Sequence, residues 1–223
     1  MKSILSLMVS LSAIPILILT SCTAKYVKEE QTLEKKLEDC NKQLDQCAKQ
    51  KTEEDKKLKT DKDTYDQLAA SLKNEIQKDE ITLNQYKDAV TINIAERVLF
   101  DLGKFEIKPQ CYPILNKIGK IIKNLPDKFI QVEGHTDDVP IAEAYQWKIP
   151  NNWALGARRA INVTIYFIDH FNIDPHKIAV MSFSKYRPLV PNTSKTNRAK
   201  NRRIEIVILN KLLFQEIEGK QGS

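Results

Sequence analysis

Residues 129–140 read FIQVEGHTDDVP. Phe129-Ile130-Gln131-Val132 has the make-up of a strand, and it runs straight into a polar turn carrying His135, Asp137 and Asp138. Working outward from it sets the fold. Upstream, Leu115, Ile118, Ile121, Ile122 and Leu125 form one face of a helix that stops at Pro126. Before that, Ile92 and Ile94, then Val98 and Phe100, alternate as a strand would, with Asp101-Leu102-Gly103 as the turn. Downstream, residues 141–150 are irregular and contain Tyr145 and Trp147, and Asn151 or Asn152 caps a helix to about Asp169. Ile178–Met181 makes a further strand. A polar, proline-marked stretch at 184–202 leads to the alternating Ile204, Ile206 and Ile208. Strands alternating with helices predict an α/β (α+β) sandwich with one mixed β-sheet packed by helices.

No proline or glycine occurs between Pro15 and Gly103, which predicts a long N-terminal helix ahead of that domain. Leu33, Leu37, Cys40, Leu44 and Cys47 alternate at steps of four and three, and Leu58, Tyr65, Leu68 and Leu72 keep the same heptad frame. Lys51, Glu54 and Asp61 interrupt it. A stutter after Leu72 brings in Ile76, Leu83 and Val90, so helix is expected through residue 90. Such a coiled coil would reach roughly 100 Å at 1.5 Å per residue, a spacer's length; the alternative is a lone solvated helix held by Glu/Lys contacts. Cys40 and Cys47 are too far apart on one helix to bond each other. They either bridge two chains of a parallel homodimer or serve as small apolar residues. Cys111 reads as structural.

Charge is unevenly spread. Residues 26–90 carry 13 Lys/Arg against 16 Asp/Glu, and residues 91–223 carry 20 against 13. The basic half fits either a solvated surface or attraction to a polyanion. The opening MKSILSLMVSLSAIPILILTSC has a lysine, an apolar run without charge and small residues before Cys22, the pattern of an exported leader. Leu19-Thr20-Ser21-Cys22 resembles the lipobox of bacterial lipoproteins, which implies an acylated (palmitate-bearing) Cys22 at the mature N-terminus. Thr23, in place of aspartate, points to the outer membrane.

The site chemistry narrows by elimination. His135, Asp137 and Asp138 lack a third or fourth converging ligand from the other histidines, His170 and His176, so no metal is expected. Ser182 and Ser184 lie outside any nucleophile elbow and no phosphate-cradling glycine loop is present, so neither a catalytic group nor a cofactor is expected. Charge recognition remains. Asp137 lies just past a strand end, and Arg158 and Arg159 lie two turns into the following helix. A carboxylate and a guanidinium so placed either grip the two ends of a zwitterion or form an internal salt bridge that serves only the fold.

Four blocks carry a family resemblance: LFDLGKFEIKP at 99–109, VEGHTDDVP at 132–140, NWALGARRA at 152–160 and NRAKNRRIEIVI at 197–208. In this order they resemble the OmpA-like peptidoglycan-binding domain. ALGARRA looks most like its Pal branch, and GHTDDVPI with the insert looks like its MotB branch. The resemblance implies binding of peptidoglycan at the diaminopimelate of the stem peptide, whose one carbon bears both an ammonium and a carboxylate. It assigns the key aspartate to Asp137 and the key arginine to Arg159, with Asp101, Asn152 and Arg202 as secondary contacts. Val139 and the insert 141–150 depart from the family pattern at the rim.

The organisation expected is therefore a lipoprotein signal peptide at 1–21, a lipidated helical spacer at 22–90, an OmpA-like domain at 91–210 and a tail at 211–223. The expected protein is not an enzyme. It is an outer-membrane lipoprotein, facing the periplasm, that tethers that membrane to the cell wall. The alternative is a wall-docked scaffold subunit of an envelope assembly whose coiled coil binds partners. Nucleic acid is not an expected partner, because export and the lack of interleaved aromatic and basic residues argue against it.

Overall fold

The computed structural model describes residues 2–86, 89–101 and 103–210, with side chains from Tyr26 onward. The side chain of Cys22 and the expected tail at 211–223 lie outside the described residues. The chain divides into two compact units, residues 1–55 and 56–223. The first is helix alone, part of α1 (Lys2–Ser71). On it Leu33, Leu37 and Leu44 are exposed, as are Cys40 and Cys47, which are free thiols. Among the described residues no helix is long and apolar enough to cross a membrane.

The second unit is built on a five-stranded mixed sheet in the order β1-β2-β5-β3-β4, with β1 at Ile81–Tyr86, β2 at Ala89–Ala95, β3 at Lys128–His135, β4 at Ile178–Ser184 and β5 at Arg203–Asn210. Only β3 and β4 run parallel; the other pairings are antiparallel. The register aligns Leu83, Ile92, Ile206 and Val132 across four strands. Alternation then turns Ile92, Ile94, Ile204, Ile206, Ile208, Ile130 and Val132 into one continuous apolar layer. Two helices cover it: α4 (Tyr112–Lys123) contributes Leu115, Ile118 and Ile122, and α6 (Asn152–Phe171) contributes Ala160, Val163 and Phe167. Asn151 caps α6, its side chain accepting from the Ala154 amide at 3.0 Å. Between these elements lie three short helices, α2 (Lys73–Gln77), α3 (Glu96–Leu99) and α5 (Glu143–Gln146), and a seven-residue helix, α7 (Lys195–Asn201), precedes β5.

Several local readings change. The helix expected to run to Val90 ends at Ser71, and Ile81–Tyr86 instead pairs with β2 as an edge strand. Leu68 and Leu72 are fully buried in the domain's own core, so these two heptad positions pack within the domain, whereas Leu58 is exposed. Asp61, an interruption in that frame, forms a buried ion pair with Lys128, which also donates to Asn210 Oδ1 at 2.6 Å. Val98 and Phe100 do not prolong β2. One helical turn, α3, turns Val98, Leu99 and Phe100 into the core. Gly134 lies within β3, where a Cβ would stand 2.0 Å from the Gly156 carbonyl oxygen. Its role is the close approach of α6 to the sheet.

A charged cleft at the end of the sheet

Strand register assembles the site. Ala95 pairs with Arg203, so Glu96 and Arg202 come side by side just beyond the ladder, and the Glu96 amide donates to the Arg202 carbonyl at 2.9 Å. His135 also pairs with Arg203, which brings Asp137 to the same point from the other side. The Thr136 amide donates to the Ser184 carbonyl at 2.9 Å, fixing the chain as it leaves β3. Asp137 then turns: its Oδ1 accepts from the Val139 amide at 3.1 Å. Asn152, at the start of α6, ties this turn down through Nδ2 to the carbonyls of Val139 at 2.9 Å and Asp137 at 3.3 Å.

Four charges meet there. Glu96 is the hub, with one carboxylate oxygen bonded to Arg159 Nη2 and the other to Arg202 Nε. Arg202 Nη1 bonds Asp137 Oδ2 at 2.6 Å. Arg159, from the second turn of α6, is only 2% exposed; its Nε donates to the Lys104 carbonyl at 2.9 Å and its guanidinium lies 5.2 Å from the Phe100 ring centre. Burial pulls the Arg159 pKa below the usual arginine value, opposed by the adjacent Glu96 carboxylate. Burial acts on Arg202 in the same direction, but its hydrogen bond to Asp137 and the Glu96 charge outweigh it, and its pKa stands above the ordinary value. Every oxygen of Glu96 and Asp137 has a partner, which a buried charge requires.

The sequence pairing of Asp137 with Arg159 is thus indirect. Asp137 bonds Arg202, and Arg159 bonds Glu96, which joins the two arginines. All four line a cleft of about 750 Å³. It is also lined by Val139, by Ile141, Tyr145 and Ile149 of the insert, and by Lys195 and Arg198. Asp101 stands apart. It is exposed, pairs with Lys104 at 3.2 Å and lines an adjoining groove of about 650 Å³. Arg158 packs over the Phe105 ring at 5.0 Å. Glu96 was missed in the sequence; its one trace there is a carboxylate placed just after the alternating Ile92 and Ile94.

His135 is buried, with Nε2 3.2 Å from Glu133 Oε2 and 3.6 Å from Glu205 Oε2. Ligand atoms of the three lie within 4.8 Å of one another. Glu205 is already held by Arg203 at 2.8 Å and Glu133 accepts from the Gln131 amide, so both carboxylates are engaged within a polar cluster on the sheet.

With the strand-end cleft in place, the comparison with known proteins is informative. Residues 99–202 match the OmpA family. The C-terminal region is an OmpA family domain. Of the four charged cleft residues, Asp137, Arg159 and Arg202 fall inside this match and Glu96 precedes it. Motility protein B of Bacillus subtilis is 27% identical over 64% of this chain, and the chain spans 54% of that relative's length. A solved putative MotB-like protein from Desulfovibrio vulgaris superposes with a TM-score of 0.64 at 27% identity, over 70% of this chain and 98% of that one. The cell wall anchor of the T6SS from Pseudomonas aeruginosa superposes with a TM-score of 0.59 at 26% identity, over 64% and 96%. These coverages extend the likeness beyond the matched OmpA residues.

Proposed function

We propose that this protein binds peptidoglycan non-covalently at the diaminopimelate of the stem peptide, and that it is an outer-membrane lipoprotein, anchored through Cys22, that tethers that membrane to the wall. The observation that carries the reading is the cleft. Asp137 offers a carboxylate to an ammonium, and Arg159 and Arg202 offer guanidiniums to a carboxylate, all pre-positioned by the Glu96 hub. Arg159 is held through Nε and Nη2 and lines the cleft, so Nη1 is the nitrogen that would donate to the ligand carboxylate. Binding would exchange the Asp137–Arg202 contact for ligand contacts of equal charge. Asn152 positions Asp137 and does not itself need to touch the ligand. Lipid anchoring would confine the domain to a thin layer beside the wall and raise its effective concentration there.

The test is co-sedimentation of the full chain with purified sacculi. Asp137→Ala and Arg159→Ala should each weaken binding severely, since truncating one member of a buried charge pair costs about 2–5 kcal/mol. Retention of either variant at the wild-type level, with folding verified by circular dichroism, would overturn the site. A second reading, a wall-docked scaffold that uses its helix for partners or for a parallel homodimer, draws on the exposed stripe of Leu33, Leu37 and Leu44. Substituting those leucines with glutamine separates the two: a tether keeps its wall binding and its behaviour in cells, whereas a scaffold loses its partners.

A further inference from the structure

The cleft holds more positive charge than its own carboxylates balance. Glu96 and Asp137 are matched bond for bond by Arg159 and Arg202. Lys195 and Arg198 line the same cleft without an acidic partner among the described residues. Arg198 is tethered through Nη1 to the Asn192 carbonyl at 3.0 Å, which fixes its guanidinium but neutralises nothing. Spaced three and seven residues apart, Lys195, Arg198 and Arg202 share one side of α7 and its C-terminal end. An exposed lysine on an open surface is usually just solvated. Here the cleft is also lined by the apolar side chains of Val139, Ile141, Tyr145 and Ile149, and low-dielectric walls concentrate the field of the two cations.

We propose that Lys195 and Arg198 read a second free carboxylate next to the zwitterion, so that the site selects stem peptides whose carboxyl groups are not amidated. This rests on the reading of the cleft as a diaminopimelate site. A zwitterion brings no net charge and leaves the surplus unmatched, whereas a neighbouring carboxylate matches it. The peptide offers two such groups: the α-carboxylate of the γ-linked D-glutamate, and the carboxylate on the other stereocentre of diaminopimelate when no residue follows it. Both present the same chemistry to a lysine and an arginine.

The experiment is calorimetric titration of the full chain with three synthetic peptides, L-Ala-γ-D-Glu-diaminopimelate and its two singly amidated forms, one at the glutamate and one at the second diaminopimelate carboxyl. Amidation of the carboxylate that is read should weaken binding about tenfold, in the range of a hydrogen bond between charged groups. The arm that loses affinity identifies the group. The Lys195→Gln/Arg198→Gln double variant should bind the unmodified peptide about tenfold more weakly and no longer distinguish the three. Binding of all three by the wild type within twofold, or full discrimination by the double variant, overturns the inference while leaving the zwitterion reading intact. If the wild type binds none of the peptides, the zwitterion reading fails and the selectivity fails with it.

Discussion

Replacing Glu96 by glutamine keeps the shape of the hub and removes its charge. Both oxygens of Glu96 are engaged by arginines, and Arg159 is 2% exposed, so its guanidinium regains little hydration when the carboxylate charge is lost. Breaking a buried pair by neutralising one partner costs about 3–5 kcal/mol. The glutamine carbonyl can still accept from one arginine, which puts the expectation near ~3 kcal/mol at the lower end of that range. That is a large share of the ~5–15 kcal/mol of an ordinary domain. With a urea slope of about 1–3 kcal/mol per molar, the unfolding midpoint should fall by roughly 1–3 M. The Glu96→Gln/Arg159→Met double variant removes the stranded charge as well. It should lose clearly less than the sum of the single variants, with a coupling of about 2 kcal/mol. A Glu96→Gln loss below about 1 kcal/mol, or strict additivity in the cycle, would refute the assignment of Glu96 as the group that keeps the arginines in place.

Three other perturbations probe the scaffold. Gly134→Ala should destabilise by about 3 kcal/mol or more, because its Cβ would overlap the Gly156 carbonyl; an unchanged melting curve would contradict the close packing of α6 on β3. Asp61→Ala strands Lys128, 3% exposed, and should cost about 3–5 kcal/mol, whereas Asp61→Leu/Lys128→Met should recover much of it in the same denaturation assay. Burial works against ionisation of Glu75, but hydrogen bonds from Lys117, at 2.7 Å, and from its own backbone, with the lysine charge, hold its pKa below the usual value of 4.5. A depressed carboxylate pKa adds stability that is present above 4.5 and lost as pH falls through the folded-state value. Glu75→Gln should therefore flatten the acid limb of stability against pH, and an unaltered limb would argue against the pair.

How far the sequence led depends on which signals are local. Periodicity located Ile130–Val132, Ile178–Met181 and Ile204–Ile208 as strands and 152–169 as a helix, because each repeats within its own segment. The edge strand Ile81–Tyr86 was hidden. Leu72, Ile76 and Leu83 fit a stuttered heptad, and no glycine or proline marks the break. Asp61 looked like a fault in a coiled coil because its partner, Lys128, is 67 residues away. Asp137, Arg159 and Arg202 were found through block resemblance, but how they connect was not. Glu96 joins them only because β2 and β3 both pair with β5 at Arg203, and register between distant strands leaves no mark in either segment.

The central claim is that the cleft recognises one carbon bearing both an ammonium and a carboxylate. Its most direct test is titration of the full chain with two stem peptides differing only at the third residue, diaminopimelate or lysine. Lysine keeps the ammonium and lacks the carboxylate that Arg159 and Arg202 would hold. The lysine peptide should bind at least thirtyfold more weakly, the equivalent of about 2 kcal/mol, and Asp137→Ala should abolish the difference by losing both. Equal affinity for the two peptides in the wild-type protein would contradict the account.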